Sequence, residues 1–401
     1  MRALYTLLWY LLLPWLPLRL WWRGRREPGY RAHIGERFGR YGAAAPAARG
    51  VVWIHAVSLG ETRAVAPLVA RIAREVPDAT ILLTHMTATG REAGRALAGD
   101  RVVQVWLPYD VPFAVRAFLA RFAPRAGLLV ETEVWPNLTA ACAAAGVPLL
   151  LVNARLSARS LAGYRRFARL TRPMFAALAG VAAQTAADAD RLTAAGATGV
   201  AVTGNLKFDA AAPPGAADAG RALRARFGVR RPVLLAASTR DGEEALLLDA
   251  LARRALPAGA LVVIVPRHPQ RFADVAALLA ARGVAFVRRS AGADVPADVR
   301  VVLGDTLGEL PAYYAAADVA FVGGSLLPLG GQNLLEALAA GTPTLVGPHT
   351  FNFTDATQKA VEAGAARRAS MRDAAGTFLA AHRGATDRLW AWLAPKLGSE
   401  L

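Results

Sequence analysis

The chain has 401 residues, of which 54% are hydrophobic and 19% are charged. This length and composition exclude a disordered protein and favour two globular domains over one. The formal net charge of +17 favours an anionic partner, but no zinc-finger, recognition-helix or aromatic-basic motif indicates nucleic acid. Cys142 is the single cysteine, so a disulfide within the chain is excluded and a reducing compartment is indicated.

Residues 1–26 have the composition of a membrane anchor. Residues 3–18 are almost entirely apolar, and no small-residue cleavage site follows them. The residues on the C-terminal side of this run include Arg19, Trp21, Trp22, Arg23, Arg25 and Arg26. Tryptophan and arginine are typical of the membrane interface, and arginines on this side predict a main body in the cytoplasm. Because a full span needs about 20 residues, a span, an interfacial anchor and a buried first helix all stay open.

Apolar runs alternate with stretches of helical spacing from residue 50 onward. This alternation predicts parallel sheets that are covered by helices on both faces. The predicted strands are Val51–Ala56, Thr80–Leu83, Val102–Leu107, Gly127–Val130, Val147–Val152, Val181–Gln184, Val233–Ala236, Leu261–Val265, Ala285–Val287, Val301–Leu303, Val319–Val322 and Thr344–Val346. The clearest predicted helices are Thr62–Glu75, Pro112–Phe122 and Thr377–Leu393, the last of which we expect to pack back across the domains.

A linker divides the alternating pattern into two parts. Residues 209–220 are rich in alanine, proline and glycine, which favours an irregular connection. We therefore predict an α/β protein in which two doubly wound domains, residues 27–208 and 221–401, follow the anchor. Ligands of such sheets bind at the carboxyl ends of the strands, so we expect a cleft between the two domains.

Acidic residues follow two predicted strands of the first domain. Glu61 starts a helix just past the first strand, where the helix dipole is expected to keep it ionised and able to act as a base. A favourable charge in a first helical turn is an equally good interpretation. Glu131 and Glu133 follow another strand, and residues two apart in an extended chain face the same way. They are either site residues or ordinary helix-start charges.

Two basic residues also follow predicted strands. Lys207 lies next to the linker, where a cation can meet a ligand held between the domains; the alternative is an exposed surface lysine. Arg267 follows a strand of the second domain, where a guanidinium can clamp a phosphate with two hydrogen bonds.

The second domain carries a strand, a glycine-rich loop and a helix start in direct succession. Gly323–Gly324 and Gly330–Gly331 allow the backbone to approach a ligand, and N–H groups at the helix start point at an anion. The pattern therefore predicts a phosphate or nucleotide site. The alternative is a tight turn into a capped helix, with Asn333 and Glu336 as the capping pair.

No metal site is predicted. Asp188 and Asp190 have the spacing of an acidic metal-binding pair, but their segment reads as a helix, on which residues two apart diverge. No arrangement of histidines and cysteine has the spacing of a zinc site.

Short segments in a fixed order carry a family resemblance. The segments are HAVSLGE, ETEVWPN, NARLS, TGNLKFD, PRHPQR, GDTLGEL, FVGGS, NLLEA and GPHTFNF, together with the N-terminal LRLWWRG and GYRAHIGERFG. The chain closely resembles the bacterial 3-deoxy-D-manno-octulosonic acid (Kdo) transferases along essentially its whole length. The resemblance implies the two-domain GT-B glycosyltransferase fold. It also implies transfer of Kdo from CMP-Kdo to a lipid A precursor, lipid IVA, in lipopolysaccharide biosynthesis.

The resemblance also implies roles for individual residues. Glu61 matches the general base, and Glu131 and Lys207 match residues that stabilise the transition state. The residues that match the CMP-binding segments are Pro266, Arg267, Leu307, Gly308, Glu309, Asn333, Leu334, Leu335 and Glu336. Lys207, Arg267 and the helix start can offset the charge of the leaving group, so neither a metal nor another cofactor is expected.

Two positions depart from the family pattern. Gln332 and Arg240 stand where the family usually has histidines, and Gln332 can donate a hydrogen bond but carries no charge. Two other functions stay open at this point: a different GT-B transferase that uses a UDP-sugar, and a non-catalytic lipid-binding membrane module. The sequence also leaves open the number of Kdo units transferred and the oligomeric state.

Overall fold

The computed structural model describes residues 1–25, 27–42, 50–97, 99, 101–209, 213, 215–253, 256–362 and 384–397. The chain divides into two compact units, one formed by Met1–Asp209 with Gly384–Leu401 and the other by Ala210–Arg383. Each unit contains its own parallel sheet. The predicted fold class is therefore confirmed: two Rossmann-like α/β units with an apolar helical segment at the N-terminus.

Seven parallel strands form the sheet of the first unit, in the order β3-β2-β1-β4-β5-β6-β7. The strands are β1 (Val52–His55), β2 (Ile81–His85), β3 (Val102–Trp106), β4 (Ala126–Val130), β5 (Leu149–Ala154), β6 (Gly180–Ala183) and β7 (Val200–Val202). All residues of β1, β2, β4, β5 and β6 are buried, as expected for a sheet covered on both faces. The order reverses between the paired strands β1 and β4, so their carboxyl ends form a topological switch point.

Helices follow the strands of this sheet. The helices of the first unit up to its last strand are α1 (Arg2–Leu12), α2 (Leu16–Arg23), α3 (Leu59–Ala64), α4 (Ala66–Glu75), α5 (Ala88–Arg95), α6 (Pro112–Phe122), α7 (Pro136–Ala144), α8 (Ala158–Arg166), α9 (Ala168–Ala176) and α10 (Ala186–Ala195). Helix α4 shows the common packing mode: Leu68, Val69 and Ile72 are buried on one face.

The segment Arg2–Arg23 has two different faces. Its 22 residues are long and apolar enough to cross a membrane, by length and composition. The cluster that buries its inner face contains Leu16, Leu20, Tyr30, Tyr109, Val111 and Ala114. The leucines on its exposed surface are Leu4, Leu7, Leu8, Leu11, Leu12 and Leu18. The segment is compatible with a membrane anchor. Its outer face is exposed, so the segment is not a fully buried core helix.

Six parallel strands form the sheet of the second unit, in the order β10-β11-β9-β8-β12-β13. The strands are β8 (Val233–Thr239), β9 (Leu261–Pro266), β10 (Phe286–Arg288), β11 (Val301–Leu303), β12 (Val319–Val322) and β13 (Thr344–Val346). The helices are α11 (Ala216–Phe227), α12 (Glu243–Arg253), α13 (Phe272–Ala281), α14 (Leu310–Ala316), α15 (Leu335–Ala339) and α16 (Thr354–Glu362). The switch point of this sheet lies between the paired strands β8 and β12.

Every predicted strand overlaps an observed strand, and the differences are local. Strand β7 was not predicted, because its three residues are partly or fully exposed and form no apolar run. The predicted helix Thr62–Glu75 is divided at Val65, where Pro67 occupies the first turn of α4. Helix α11 begins at Ala216, so the last part of the predicted linker 209–220 is helical.

The last described helix, α17 (Ala385–Leu397), belongs to the first unit and not to the predicted domain 221–401. Leu389 and Leu393 are fully buried in a core cluster of that unit. Asp209 anchors the start of the segment, because its carboxylate accepts hydrogen bonds from the N–H groups of Gly384, at 2.8 Å, and Thr386. Residues 377–383 of the predicted final helix lie outside the described residues.

Candidate active site

Glu61 lies in the first turn of α3, directly after β1 at the switch point of the first sheet. Its Oε2 accepts a hydrogen bond from the Val57 N–H at 2.8 Å, and its Oε1 accepts one from the Ser58 hydroxyl at 3.0 Å. The Ser58 oxygen in turn accepts the Glu61 N–H at 3.4 Å, which completes a capping arrangement. Glu61 therefore also stabilises the first helical turn, as the alternative interpretation proposed. This arrangement leaves lone pairs on both carboxylate oxygens of this half-buried residue.

Burial sets the protonation of Glu61. It raises the pKa of the Glu61 carboxyl to about 7, opposed by hydrogen bonds from Val57 and Ser58 and reinforced by repulsion from Glu131 and Glu133. The expectation that Glu61 is kept ionised at its helix start did not account for this burial, which is the largest cause of the raised pKa. A carboxylate with a pKa near neutrality has the properties of a general base.

The loop just before α3 rests on polar groups at the end of β2 and in the turn that follows it. His85, at the end of β2, donates from Nδ1 to the Ala56 carbonyl at 2.8 Å, and the Thr87 hydroxyl donates to the Val57 carbonyl at 2.9 Å. Burial lowers the pKa of His85 to about 4, so the ring is neutral at pH 7. A Cβ atom on Gly90 would lie 2.9 Å from the Val57 oxygen, so only glycine lets α5 come this close. Sequence reasoning missed these supporting residues.

Glu131 lies at the carboxyl end of β4, next to β1, and is 5% exposed. Its Oε1 is 2.9 Å from Lys207 Nζ and its Oε2 is 2.9 Å from Arg155 Nε. The two predicted residues Glu131 and Lys207 are thus brought together, and Lys207 is not a surface lysine because its side chain is 19% exposed. Glu131 has a φ of +62°, so the extended alternation assumed for Glu131 and Glu133 is wrong.

Asn153 and Arg155 were missed as site residues, although both lie in the NARLS segment. The Asn153 side-chain oxygen accepts the Leu206 N–H at 3.0 Å and so fixes the backbone just before Lys207. Asn153 itself is fully buried with a φ of +50°. A non-glycine residue with a left-handed backbone and a buried amide is the kind of strained position that marks functional sites.

In the second unit, Pro266 ends β9 and Arg267 begins the following turn. The Arg267 N–H donates to the Thr239 carbonyl at 3.0 Å, and its Nε donates to Gln332 Oε1 at 3.2 Å. Gln332, where the family usually has histidine, therefore contacts a predicted CMP-binding residue directly. A neutral amide oxygen accepts from a guanidinium without repelling it.

The glycine-rich loop is occupied by a carboxylate of its own unit. Glu243, fully buried at the start of α12, accepts N–H groups of Gly324 at 2.6 Å and of Ser325 and Leu326 at 2.9 Å. It also accepts the Arg240 N–H at 2.9 Å. The expectation that N–H groups of this loop are free for a phosphate is wrong for these three residues. Glu243 was not recognised from the sequence.

The helix start at Asn333 matches the capping alternative. The Asn333 side-chain oxygen accepts the Leu335 N–H at 3.1 Å, and its amide nitrogen donates to Glu336 Oε1 at 3.2 Å. The side chains of Leu334 and Leu335 are buried, at 3% and 2% exposure, so only their backbone can meet a ligand.

The third predicted CMP-binding segment, Leu307–Glu309, lies at the start of α14. Leu307 is 73% exposed, Gly308 has a φ of +81°, and Glu309 Oε1 accepts from Arg289 at 2.8 Å. Gly308, Glu309 and Arg289 line a cavity of about 380 Å³ beside α11, all within the second unit.

The acidic pair at Asp188 and Asp190 lies in α10, as the rejection of a metal site assumed. The Asp188 carboxylate accepts the Leu156 N–H at 2.9 Å and the Thr185 hydroxyl at 2.6 Å, and Arg191 pairs with it at 2.8 Å. Among the described residues, no group of three or more potential ligands is arranged to hold a metal ion.

Comparison with known proteins gives consistent results. Residues 32–210 match the family described as 3-Deoxy-D-manno-octulosonic-acid transferase (kdotransferase). The chain is 50% identical to the 3-deoxy-D-manno-octulosonic acid transferase of Bordetella pertussis, over 98% of this chain and 99% of that protein. It is 36% identical to the Haemophilus influenzae protein of the same name, over 93% of each.

Solved structures with similar folds include the UDP-GlcNAc 2-epimerase of Neisseria meningitidis, with a TM-score of 0.52 at 15% identity over 86% of this chain and all of that chain. Another is Anabaena HepE bound to UDP-glucose, with a TM-score of 0.53 at 15% identity over 87% of this chain and 99% of that one. These likenesses show the fold alone. The fold and family matches together define a glycosyltransferase of GT-B type. The chain belongs to the family of Kdo transferases, as the sequence resemblance predicted.

Proposed function

We propose that this chain transfers Kdo from CMP-Kdo to a lipid A precursor, lipid IVA. The observation that carries the proposal is the position of Glu61, a half-buried carboxyl with a pKa of about 7 that follows β1 at the switch point of the first sheet. Glu131 follows the neighbouring strand β4, contacts Lys207 and influences Glu61 electrostatically.

In this proposal Glu61 is the general base. The acceptor sugar hydroxyl gives its proton to the Glu61 carboxylate, its oxygen forms the new bond to the anomeric carbon of Kdo, and CMP leaves with the electrons of the broken bond. The hydrogen bonds from Val57 and Ser58 hold the carboxylate in one orientation, so its position is set before the substrate binds.

Lys207 and Glu131 are proposed to stabilise the transition state. The ammonium of Lys207 is oriented by its 2.9 Å contact with Glu131 and is only 19% exposed, so its charge is weakly screened by water. Asn153, which fixes the Leu206 backbone, supports this position.

The residues proposed for CMP binding lie in the second unit. Arg267 is oriented by Gln332, and its guanidinium is the proposed partner of the phosphate of CMP. The backbone of Asn333–Glu336 and the Leu307–Glu309 turn, which borders the cavity of about 380 Å³, are the other candidates. Because arginine and lysine supply the positive charge, we propose a transfer that needs no metal ion.

Residues 1–26 are proposed to hold the enzyme at the cytoplasmic face of the inner membrane, where a lipid-linked acceptor is available. The exposed leucines of α1 and α2 support this, since exposed apolar side chains on a helical segment of this length are typical of membrane contact.

The experiment is mass spectrometry of lipid IVA incubated with the purified enzyme and CMP-Kdo. Addition of one or more Kdo units, with activity retained in EDTA, is expected. Glu61→Gln is the inactive control, and Glu92→Gln, an exposed carboxylate on α5, is the matched active control. No Kdo added by the wild-type enzyme, or activity lost in EDTA and restored by magnesium, would contradict the acceptor or the metal-independent mechanism respectively.

A further inference from the structure

Arg155 contacts Glu131 in two ways. Its Nε lies 2.9 Å from Glu131 Oε2, and its backbone N–H donates to the Glu131 carbonyl at 3.4 Å. The Arg155 side chain is 47% exposed and that of Glu131 is 7% exposed, so the guanidinium meets the carboxylate from the solvent side. Lys207 holds the other carboxylate oxygen. Together the two cations fix the orientation of Glu131.

Strand pairing and a backbone hydrogen bond fix the position of the chain at Arg155. Arg155 follows β5, which pairs with β4, so it leaves the sheet one strand away from Glu131. The next N–H along the chain, that of Leu156, donates to the Asp188 carboxylate at 2.9 Å. Glu131 has a left-handed backbone at φ +62°, which a non-glycine residue keeps only when its neighbours hold it there.

The charges around Glu61 are unevenly balanced. Glu131 and Glu133 both repel its ionised form, and Lys207 and Arg155 are the cations in contact with Glu131 among the described residues. Removing Arg155 takes away one of the two cations in contact with Glu131, so the negative charge of Glu131 is less well balanced. The ionised form of Glu61 is then less favourable, and Glu131 loses one of its two anchors.

We propose that Arg155 is a positioning residue for the transfer reaction: it holds the Glu131 carboxylate in place and balances the negative charge beside Glu61. This inference rests on the proposed role of Glu61 as the base. The proposal predicts the direction in which the pH profile of activity shifts when Arg155 is replaced. Since the base must be ionised, loss of the Arg155 charge moves the acidic limb of activity to higher pH.

The test is the pH profile of kcat/KM for Kdo transfer by the full-length enzyme, from about pH 5.5 to 9.5. In Arg155→Gln the midpoint of the acidic limb is expected to rise by about half to one pH unit, the scale for one partly screened charge. Activity should fall several-fold near pH 6.5 and recover towards the wild-type value at the alkaline end. Arg155→Lys should restore the wild-type midpoint, because it keeps the charge.

Arg159→Gln is the matched control, since Arg159 is an exposed arginine four residues further along, on α8. Its profile should equal that of the wild type. A midpoint unchanged in Arg155→Gln, at any level of activity, would overturn the role of Arg155 in balancing the charge beside Glu61 while leaving Glu61 as the base. A wild-type profile without an acidic limb would overturn the base assignment and this inference with it. If Arg155→Gln does not fold, Arg155→Met provides the neutral variant.

Discussion

The Glu243 carboxylate accepts the Gly324 N–H at 2.6 Å, across 81 residues of sequence. Gly324 itself has a φ of +71°, and a Cβ on the preceding residue, Gly323, would lie 2.5 Å from the Ser238 carbonyl oxygen. The ends of β8 and β12 are thus joined by backbone packing that only glycine allows and by one buried carboxylate. The carboxylate that accepts the N–H groups of this loop is therefore supplied by Glu243 of the same unit.

Glu243→Gln should destabilise the protein. The substitution removes the charge from a fully buried group that accepts four backbone N–H groups, and an amide can accept only through its oxygen. We expect a loss of about 2–3 kcal/mol in the free energy of unfolding, measured by urea denaturation. Asp249→Asn is the control on the same helix, because its side chain is 40% exposed; it should cost under about 1 kcal/mol. Equal effects would contradict the role of Glu243.

Much of the fold was predictable because buried parallel strands appear in the sequence as continuous apolar runs. Strand β7 lacks such a run and was missed. The sequence did not predict the contact between Lys207 and Glu131. The two residues are far apart in the chain, and only the order of the strands in the sheet brings them together. The sequence identified the types of residue at the strand ends. It did not reveal that Glu243 already fills the glycine-rich loop, because that depends on the pairing of β8 with β12.

The observed α17 differs from the prediction in the unit to which it belongs, and not in its secondary structure. Helical spacing predicted a helix near the C-terminus, but sequence order assigned it to the second domain. The structure places it with the first unit because Leu389 and Leu393 are buried there. Helical periodicity identifies an apolar face without identifying the surface that covers it.

Gly90→Ala should reduce activity more than stability. The new methyl group would lie 2.9 Å from the Val57 carbonyl oxygen and 3.1 Å from the Ser58 carbonyl carbon, so the loop that orients Glu61 must shift. A shift of a few tenths of an ångström disturbs the alignment of a catalytic group, and we expect about a tenfold or larger fall in kcat. The measurement is steady-state Kdo transfer together with a thermal melt.

Gly163→Ala is the control for the Gly90 variant. Gly163 lies within α8 with open space around its Cβ position, so alanine should stabilise that helix by about 0.5–1 kcal/mol and leave kcat unchanged. Wild-type activity in a folded Gly90→Ala enzyme would show that the Glu61 loop tolerates the displacement.

Glu61 should give activity and stability opposite dependences on pH. Its pKa of about 7 in the folded protein lies above the ordinary value of 4.5, so the folded state holds an extra proton between these values. Stability from this group is present below about pH 4.5 and is lost as pH rises through 7, whereas activity rises over the upper part of the same range. Urea denaturation at several pH values should show this decline in the wild type. In Glu61→Gln the decline should be smaller, with turnover reduced about 10²-fold or more.

A Glu61→Gln variant with normal turnover would instead leave this residue with only its capping role. Loss of that role alone costs about 0.3–1 kcal/mol of stability. CMP binding should survive in the variant in either case, because the proposed CMP contacts belong to the second unit. Calorimetric titration with CMP checks this.

The N-terminal segment can be tested by substitution in place of deletion. Deletion of residues 1–22 would also remove Leu16 and Leu20, which belong to the cluster around Tyr30 and Tyr109, so lost stability would be confused with lost membrane binding. Leu7 and Leu11 are 54% and 69% exposed, and replacing both with glutamate adds charge to the outer face alone. We expect this variant to move from the membrane fraction to the soluble fraction with an unchanged melting temperature, because two charges oppose insertion into lipid.

Val229→Glu with Leu246→Glu, at exposed positions of the second unit, is the matched control and should stay with the membrane. Membrane retention of the Leu7 and Leu11 variant would mean that another surface anchors the enzyme.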